Sequence, residues 1–230
     1  MAATLNNAAT EAAQQMLIVQ ALKNGKSPEQ KRVIDFFFDQ GKKGGCLSKS
    51  YGLTMDEYLK LVQDKVDKLN TRAKAIEKIG LDESEISEIE PIALASFVYD
   101  DDVHIKVENG LAVSSQYALT WIFFSATQIY TYKYIFDTTS DNTWEFTNDF
   151  FYTDVTCLTT VRRLKEKIDS VAAKGCLASG TDYVHNNYVV DTFEIIVPGT
   201  SYSFSMRNGE SYESSIQAAK AMLREKKFNK

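Results

Sequence analysis

Gln128–Asp154 reads QIYTYKYIFDTTSDNTWEFTNDFFYTD. Two runs of aromatic and β-branched residues flank Thr138–Asn142, a cluster of Thr, Ser, Asp and Asn, and that pattern signs two strands joined by a turn. In the first run Tyr130, Tyr132, Tyr134 and Phe136 alternate with Ile129, Thr131, Lys133 and Ile135. In the second, Trp144, Phe146, Phe150 and Tyr152 share a face opposite Glu145, Thr147 and Asp149. Side chains along a strand point alternately to its two faces. Both aromatic sets are therefore expected to point inward together, leaving Lys133 and Glu145 on the wet face. Such pairs across strands stabilise a sheet, so a packed core accounts for the pattern. The competing reading is a ligand pocket among Tyr130, Tyr132 and Tyr134, because a buried phenol hydroxyl needs a partner.

Outward from this hairpin, residues 91–230 keep the same texture. Further strands are expected at Ala93–Tyr99, Val103–Val107, Gln116–Phe124, Tyr188–Val197 and Ser201–Met206, with turns at Asp100–Asp102, Asn109-Gly110, Pro198-Gly199 and Asn208-Gly209. Leu164, Ile168 and Val171 share a helical face and Gly175 follows, so the spacing predicts a helical insertion near 161–174. Ser211–Lys227 is expected as a closing helix, its Lys and Arg crowded at the C-terminal end where the helix dipole favours cations.

Residues 1–90 read as a helical region of about three to four helices. Thr4–Lys23 is rich in Ala, Gln and Leu and stops at Asn24-Gly25. Ser27-Pro28-Glu29-Gln30 combines an N-cap, a proline at the first helical position and a capping-box Gln. The Gly-rich segment 41–52 is a linker. Thr54-Met55-Asp56-Glu57 is a second capping box, launching one long helix to about Ile79, with Gly80 as its stop. A short helical turn, Glu83–Ile89, ends against Pro91. Phe36, Phe37 and Phe38 are consecutive and cannot all face one way. Part of that surface is expected to pack on the β region, with self-association through residues 1–90 as the alternative.

Composition narrows the function. The chain has 230 residues, 44% of them apolar, and a net charge of −5. Residues 91–210 carry 8 Lys/Arg against 15 Asp/Glu, a balance of −7, which disfavours nucleic acid as a partner. Cys46, Cys157 and Cys176 are odd in number, widely spaced and outside any C-x-x-C pair, as expected of free thiols in a reducing, cytoplasmic setting. Tyr117–Tyr130 is the most apolar run and is too short and polar to span a bilayer, so no integral membrane segment is expected.

Chemistry-bearing patterns are sparse. Asp100–Asp102 beside His104 reads as a solvated turn rather than a cation site, and Asp137 with Asp141 and Asn142 lacks the glycine and terminal Glu of a calcium loop. Cys157, Cys176 and His185 stand in no nucleophile–base arrangement, and Gly41, Gly44 and Gly45 with Lys42 and Lys43 do not follow phosphate-loop order. Arg162, Arg163, Lys165 and Lys167 form one dense basic spot, either a solvated face or a docking patch for an acidic partner. No catalytic, cofactor-binding or metal-ligating residue is nominated, and no enzyme activity or cofactor is expected.

The strand FFYTDVTCL (Phe150–Leu158), the hairpin FEIIVPGTSYSFSM (Phe193–Met206) and the helix SYESSIQAAKAMLREKK after it resemble the pleckstrin-homology-like superfold, in its bacterial and GRAM-like branches. Over residues 91–230 the resemblance implies an antiparallel β-barrel capped by a C-terminal helix, an α+β protein when the helical region is included. The basic loop of phosphoinositide-binding members is replaced here by Asp100-Asp101-Asp102-Val103-His104, so that ligand is not implied. The expectation is a non-enzymatic interaction module that binds a protein partner, with a small-molecule or lipid binder using the tyrosine-rich sheet as the alternative.

Overall fold

The structure is a computed structural model and describes residues 14, 16–38, 52–86, 89–172, 181–207 and 209–228. The linker 41–51, Cys46 and Cys176 lie outside the described residues. Residues 16–23 are helical and expose Met16, Leu17 and Ile18. Then come α1 (Pro28–Phe38), α2 (Met55–Val66) and α3 (Thr71–Ile79), and a short 3-10 turn at Glu83–Ile86. The strands are β1 (Ile92–Phe97), β2 (Ile105–Glu108), β3 (Leu111–Ser114), β4 (Gln116–Phe124), β5 (Gln128–Asp137), β6 (Thr143–Phe151), β7 (Cys157–Ala172), β8 (Thr181–Val197) and β9 (Thr200–Met206), and α4 (Glu213–Phe228) closes the chain. The protein is α+β.

Both capping boxes form. Ser27 Oγ accepts from Gln30 N–H at 3.2 Å while Gln30 Oε1 accepts from Ser27 N–H at 2.9 Å, and Thr54 and Glu57 exchange the same pair of bonds. The long helix expected to Ile79 is instead two. It breaks at Asp67–Asn70, where Asn70 accepts from Ala73 N–H and starts α3 afresh. Asn competes for backbone donors through its own side chain, so it favours a cap over a helix interior.

The strands form three antiparallel sheets: β1-β4-β5-β6, the hairpin β2-β3, and β7-β8-β9. None closes into a barrel. The expected helix near 161–174 is also corrected, because residues 157–172 are β7, paired with β8 along its whole length. Leu164 and Ile168 are four apart, and that spacing places side chains on one face in a strand as well as in a helix. The deciding contribution is β8, which supplies the backbone partners residue by residue.

Register corrects the reading of the aromatic hairpin. Tyr132 lies opposite Thr147 and Tyr134 opposite Glu145, whereas Trp144 lies opposite Ile135 and Phe146 opposite Lys133. Directly opposed residues share a face, so the tyrosines and the Trp144–Phe146 pair point to opposite sides. The turn sets this parity: Asp137 N–H donates to Asn142 C=O at 3.0 Å, leaving Phe136 opposite Thr143. A shift of one residue would exchange every side chain between faces.

Each face of the four-stranded sheet has its own cover. On one, Phe97, Tyr117, Leu119 and Phe136 meet Val33, Phe36, Phe37, Tyr58 and Val62 from α1 and α2. Phe123 and Tyr132 continue this face beneath Ala75 of α3 and Ile86. On the other, Ile92, Leu94, Ile122, Phe124, Ile129 and Phe150 pack on Leu158, Phe193, Ile195 and Phe204 of the three-stranded sheet and on Ile216, Ala219, Met222 and Leu223 of α4. Tyr58 ties the helices down. Its ring stacks on Phe36 at 4.6 Å, and its hydroxyl donates to Ser114 C=O at 2.6 Å and meets Thr138 Oγ1 at 3.0 Å. Lys106 of β2 donates to the Phe36 carbonyl at 2.9 Å, a cation at the C-terminal end of α1.

Candidate functional site

β7 and β8 form a ribbon longer than the sheet it belongs to. β9 pairs only with Asp191–Val197, so residues 181–190 of β8 have β7 on one side and no paired strand on the other. The two edges of this ribbon differ in chemistry. Residues 162–169 of β7 read RRLKEKID, six of eight charged, whereas 183–190 of β8 read YVHNNYVV with His185 as the sole titratable group besides tyrosine. Charges on an edge strand keep other strands away, and residues 183–190 of β8 carry no Asp, Glu, Lys or Arg.

A cavity of about 410 Å³ lies along that open edge. Ser96, Phe97 and Tyr99 come from β1 and the loop after it, Leu111 and Ala112 from β3, Leu164 from β7, residues 187–191 from β8, and Met206 and Arg207 from the end of β9. The β2-β3 hairpin turns at Asn109-Gly110, both with positive φ (52° and 79°), as a tight Asn-Gly hairpin turn requires. It rests on the ribbon through Ile105, Val107 and Ala112 against Tyr188 and Val190. Tyr99 seals the junction: its hydroxyl donates to Ala112 C=O at 2.8 Å, its ring sits 5.4 Å from that of Tyr188, and its carbonyl accepts from Lys165 Nζ at 2.6 Å. Burial raises the pKa of both phenols, so each stays neutral. Leu164 (72% exposed) and Val189 (50%) are cross-strand neighbours on the opposite side of the ribbon, with Leu111 also exposed nearby.

Two arginines stand at this groove. Arg162 clamps Asp191 through Nε at 2.8 Å and Nη2 at 3.0 Å. That clamp, aided by the Gly209 N–H, holds the Asp191 carboxyl below its ordinary pKa against the opposing effect of burial. Arg207 has no carboxylate within ion-pair distance among the described residues. Its charge is felt at Tyr99 and Tyr117, where it opposes the upward push of burial.

The residues singled out from sequence go elsewhere. Tyr132 is fully buried, with Tyr130 and Tyr134 half-buried beside it under α3. Lys74 of α3 lies 5.1 Å over the Tyr134 ring and pairs with Glu145. The Tyr132 hydroxyl has no hydrogen-bond partner among the described residues. Glu145, which Lys74 and Lys78 engage, adds to the rise in the Tyr132 pKa that burial causes. Arg163 pairs with Glu194 and Lys167 with Asp169, so, with the Arg162 and Lys165 contacts above, every member of the basic spot has an internal partner. Glu166 meets His185 Nδ1 at 2.7 Å.

Asp137 accepts from Thr139 N–H and Oγ1, and Asp141 from Gln30 Nε2 at 2.8 Å, so both acids fasten their turn. Asp100–Asp102 are exposed, and His104 packs on Phe38 at 4.7 Å. Cys157 is free and exposed. Among the described residues no three His, Cys, Asp or Glu gather as metal ligands, and no helix is long and apolar enough to cross a membrane. The strand expected from sequence begins at Tyr188 whereas β8 begins at Thr181, so most of the open β8 edge lies outside that expectation. The signal lay in the charge contrast between 162–169 and 183–190.

No protein-family model, curated protein or solved structure matches this chain.

Proposed function

We propose that this chain is a non-enzymatic interaction module that binds a protein partner through a pleckstrin-homology-like β domain carrying a helical appendage. The β domain is residues 91–230 and the appendage residues 1–90. Support for the fold assignment comes from the chain order: a four-stranded antiparallel sheet, then a three-stranded one, then a helix that packs Ile216, Ala219, Met222 and Leu223 into the core between them. The observation that carries the binding reading is the groove beside the unpaired, uncharged edge of β8. An exposed strand edge offers a row of backbone donors and acceptors that another chain can satisfy, and Leu111, Leu164 and Val189 add exposed apolar surface beside it.

The test is a photo-crosslinking side chain placed at Val189 in the full chain, in its own cells, with adducts identified by mass spectrometry. The expected result is a discrete protein adduct at Val189 that a second probe at Thr147, on the outer strand β6, does not give. The same adducts from both positions, or none at Val189, would defeat the reading.

A further inference from the structure

We infer that the groove takes an extended peptide segment of the partner as an added strand along residues 187–190 of β8, with an acidic side chain of that segment against Arg207. The inference rests on the protein-binding reading above and specifies its chemistry.

Three observations converge on this occupant. First, β9 leaves β8 at the Asp191–Met206 pair, and the chain then turns away, with Gly209 N–H donating to Asp191 Oδ2 at 3.2 Å. The lane that β9 would have continued is the cavity itself, lined by residues 187–190. At about 3.3 Å per residue, a four-residue edge accepts about four residues of extended chain. Second, the lane's side walls suit alternating side chains. Tyr188 and Val190 point toward the β2-β3 hairpin, while Val189, beside Leu164, points to the other side. A peptide strand laid there sets its own alternate residues against these two surfaces. Third, the charges are asymmetric. Arg162 is neutralised by its bidentate Asp191 and is also near Glu210, whereas Arg207, at the end of β9, is unpaired among the described residues. An arginine beside a strand lane favours a carboxylate that it can hold bidentately.

The other edge of the ribbon does not compete. β7 carries Arg162, Arg163, Lys165, Glu166, Lys167 and Asp169, and so dense a run of charge along an edge strand disfavours addition of another strand.

A library of randomised octapeptides is panned on the immobilised full chain, with a Val189→Lys chain as the counter-selection. Circular dichroism and the thermal midpoint verify that Val189→Lys remains folded. The expected peptides alternate apolar and polar residues and contain Asp or Glu. N-methylation at alternate positions of a selected peptide weakens binding about tenfold or more, the loss expected when a backbone hydrogen bond is removed, whereas methylation at the positions between has little effect. Panning on Arg207→Glu enriches Lys or Arg in place of the acid.

Peptides whose binding ignores N-methylation at every position would overturn strand addition while leaving the groove a peptide site. Selected peptides with no acid, or with affinity unchanged in Arg207→Glu, would overturn the charge assignment. A concentration-dependent dimer in sedimentation that Val189→Lys abolishes would assign the lane to a second copy and overturn the partner peptide. No enrichment over the counter-selection would overturn the protein-binding reading together with the inference.

Discussion

The tyrosine face of the four-stranded sheet and the outer face of the β7-β8 ribbon end differently. Both lie on antiparallel strands, but β5 sets Tyr130, Tyr132, Tyr134 and Phe136 at every second position, whereas the ribbon face alternates Leu164 and Ile168 with Arg162 and Glu166 and places Val189 between Asn187 and Asp191. On the first, Phe123 and Tyr132 are fully buried under α3, and Tyr58 locks α2 down beside them. On the second, Leu164, Ile168 and Val189 are half or more exposed, although they too are cross-strand or near neighbours. Alternation marks which residues share a face. It does not say whether anything covers that face, because the cover comes from another part of the chain or from another molecule.

The largest effect that would test this contrast is a pair of truncations. Phe123→Ala should destabilise the protein by about 3–5 kcal/mol, the usual cost of emptying a buried aromatic site. Leu164→Ala should change stability by no more than about 0.5 kcal/mol, as for other surface substitutions. Urea denaturation of both variants decides it, and similar losses would mean that the ribbon face is covered in the free protein.

Within the covered face, two buried tyrosines sharpen the comparison. Tyr58→Phe should cost about 1–3 kcal/mol by the same denaturation measurement, since it strips a hydroxyl that bonds Ser114 C=O and Thr138. Tyr132→Phe should be neutral or stabilising, because it removes a buried hydroxyl that has no partner among the described residues. A loss at Tyr132 equal to that at Tyr58 would show that its hydroxyl is bonded after all.

Amide exchange followed by NMR reads the same difference along the backbone. The β5 amides, paired on both sides by β4 and β6, should exchange slowly throughout. In residues 183–190, alternate amides face the open edge and should exchange faster than those bonded to β7. Uniform slow exchange there would argue for a partner already in the lane.

The smallest expected effect is the pH response of His104, which packs on Phe38 where α1 meets the β region. Burial lowers its pKa below the ordinary 6.5, with the Asp137 charge opposing. The unfolded chain therefore takes up the proton first, so this contribution is complete above pH 6.5 and is lost as pH falls through 6.5 toward the folded value. Thermal midpoints of the native chain should drop over that window more than those of His104→Gln. Parallel curves would remove His104 as the cause.

Much of the fold was legible from local signals. Gln116–Phe124 and Gln128–Asp137 were read with the bounds they have, and Ser27, Thr54 and Gly80 start and stop helices as their chemistry requires. Misreadings arose where a local pattern serves two structures. The four-residue step from Leu164 to Ile168 fits both periods, and β8 resolved it. The alternation of β5 and β6 fixed the faces of each strand, but only the turn at Asp137–Asn142 set which faces coincide. The groove was not legible, since its lining comes from β1, β3, β7, β8 and β9.

By itself, then, the sequence determined the α+β character, the capped helix starts and the strands whose alternation is strong, because those depend on contacts within a few residues. Tertiary structure decided the strand identity of residues 157–172, the parity of the aromatic hairpin and the open edge of β8. Each depends on which strand pairs with which and where that pairing stops, and backbone hydrogen bonds between distant segments carry no signature in the residues of either segment alone.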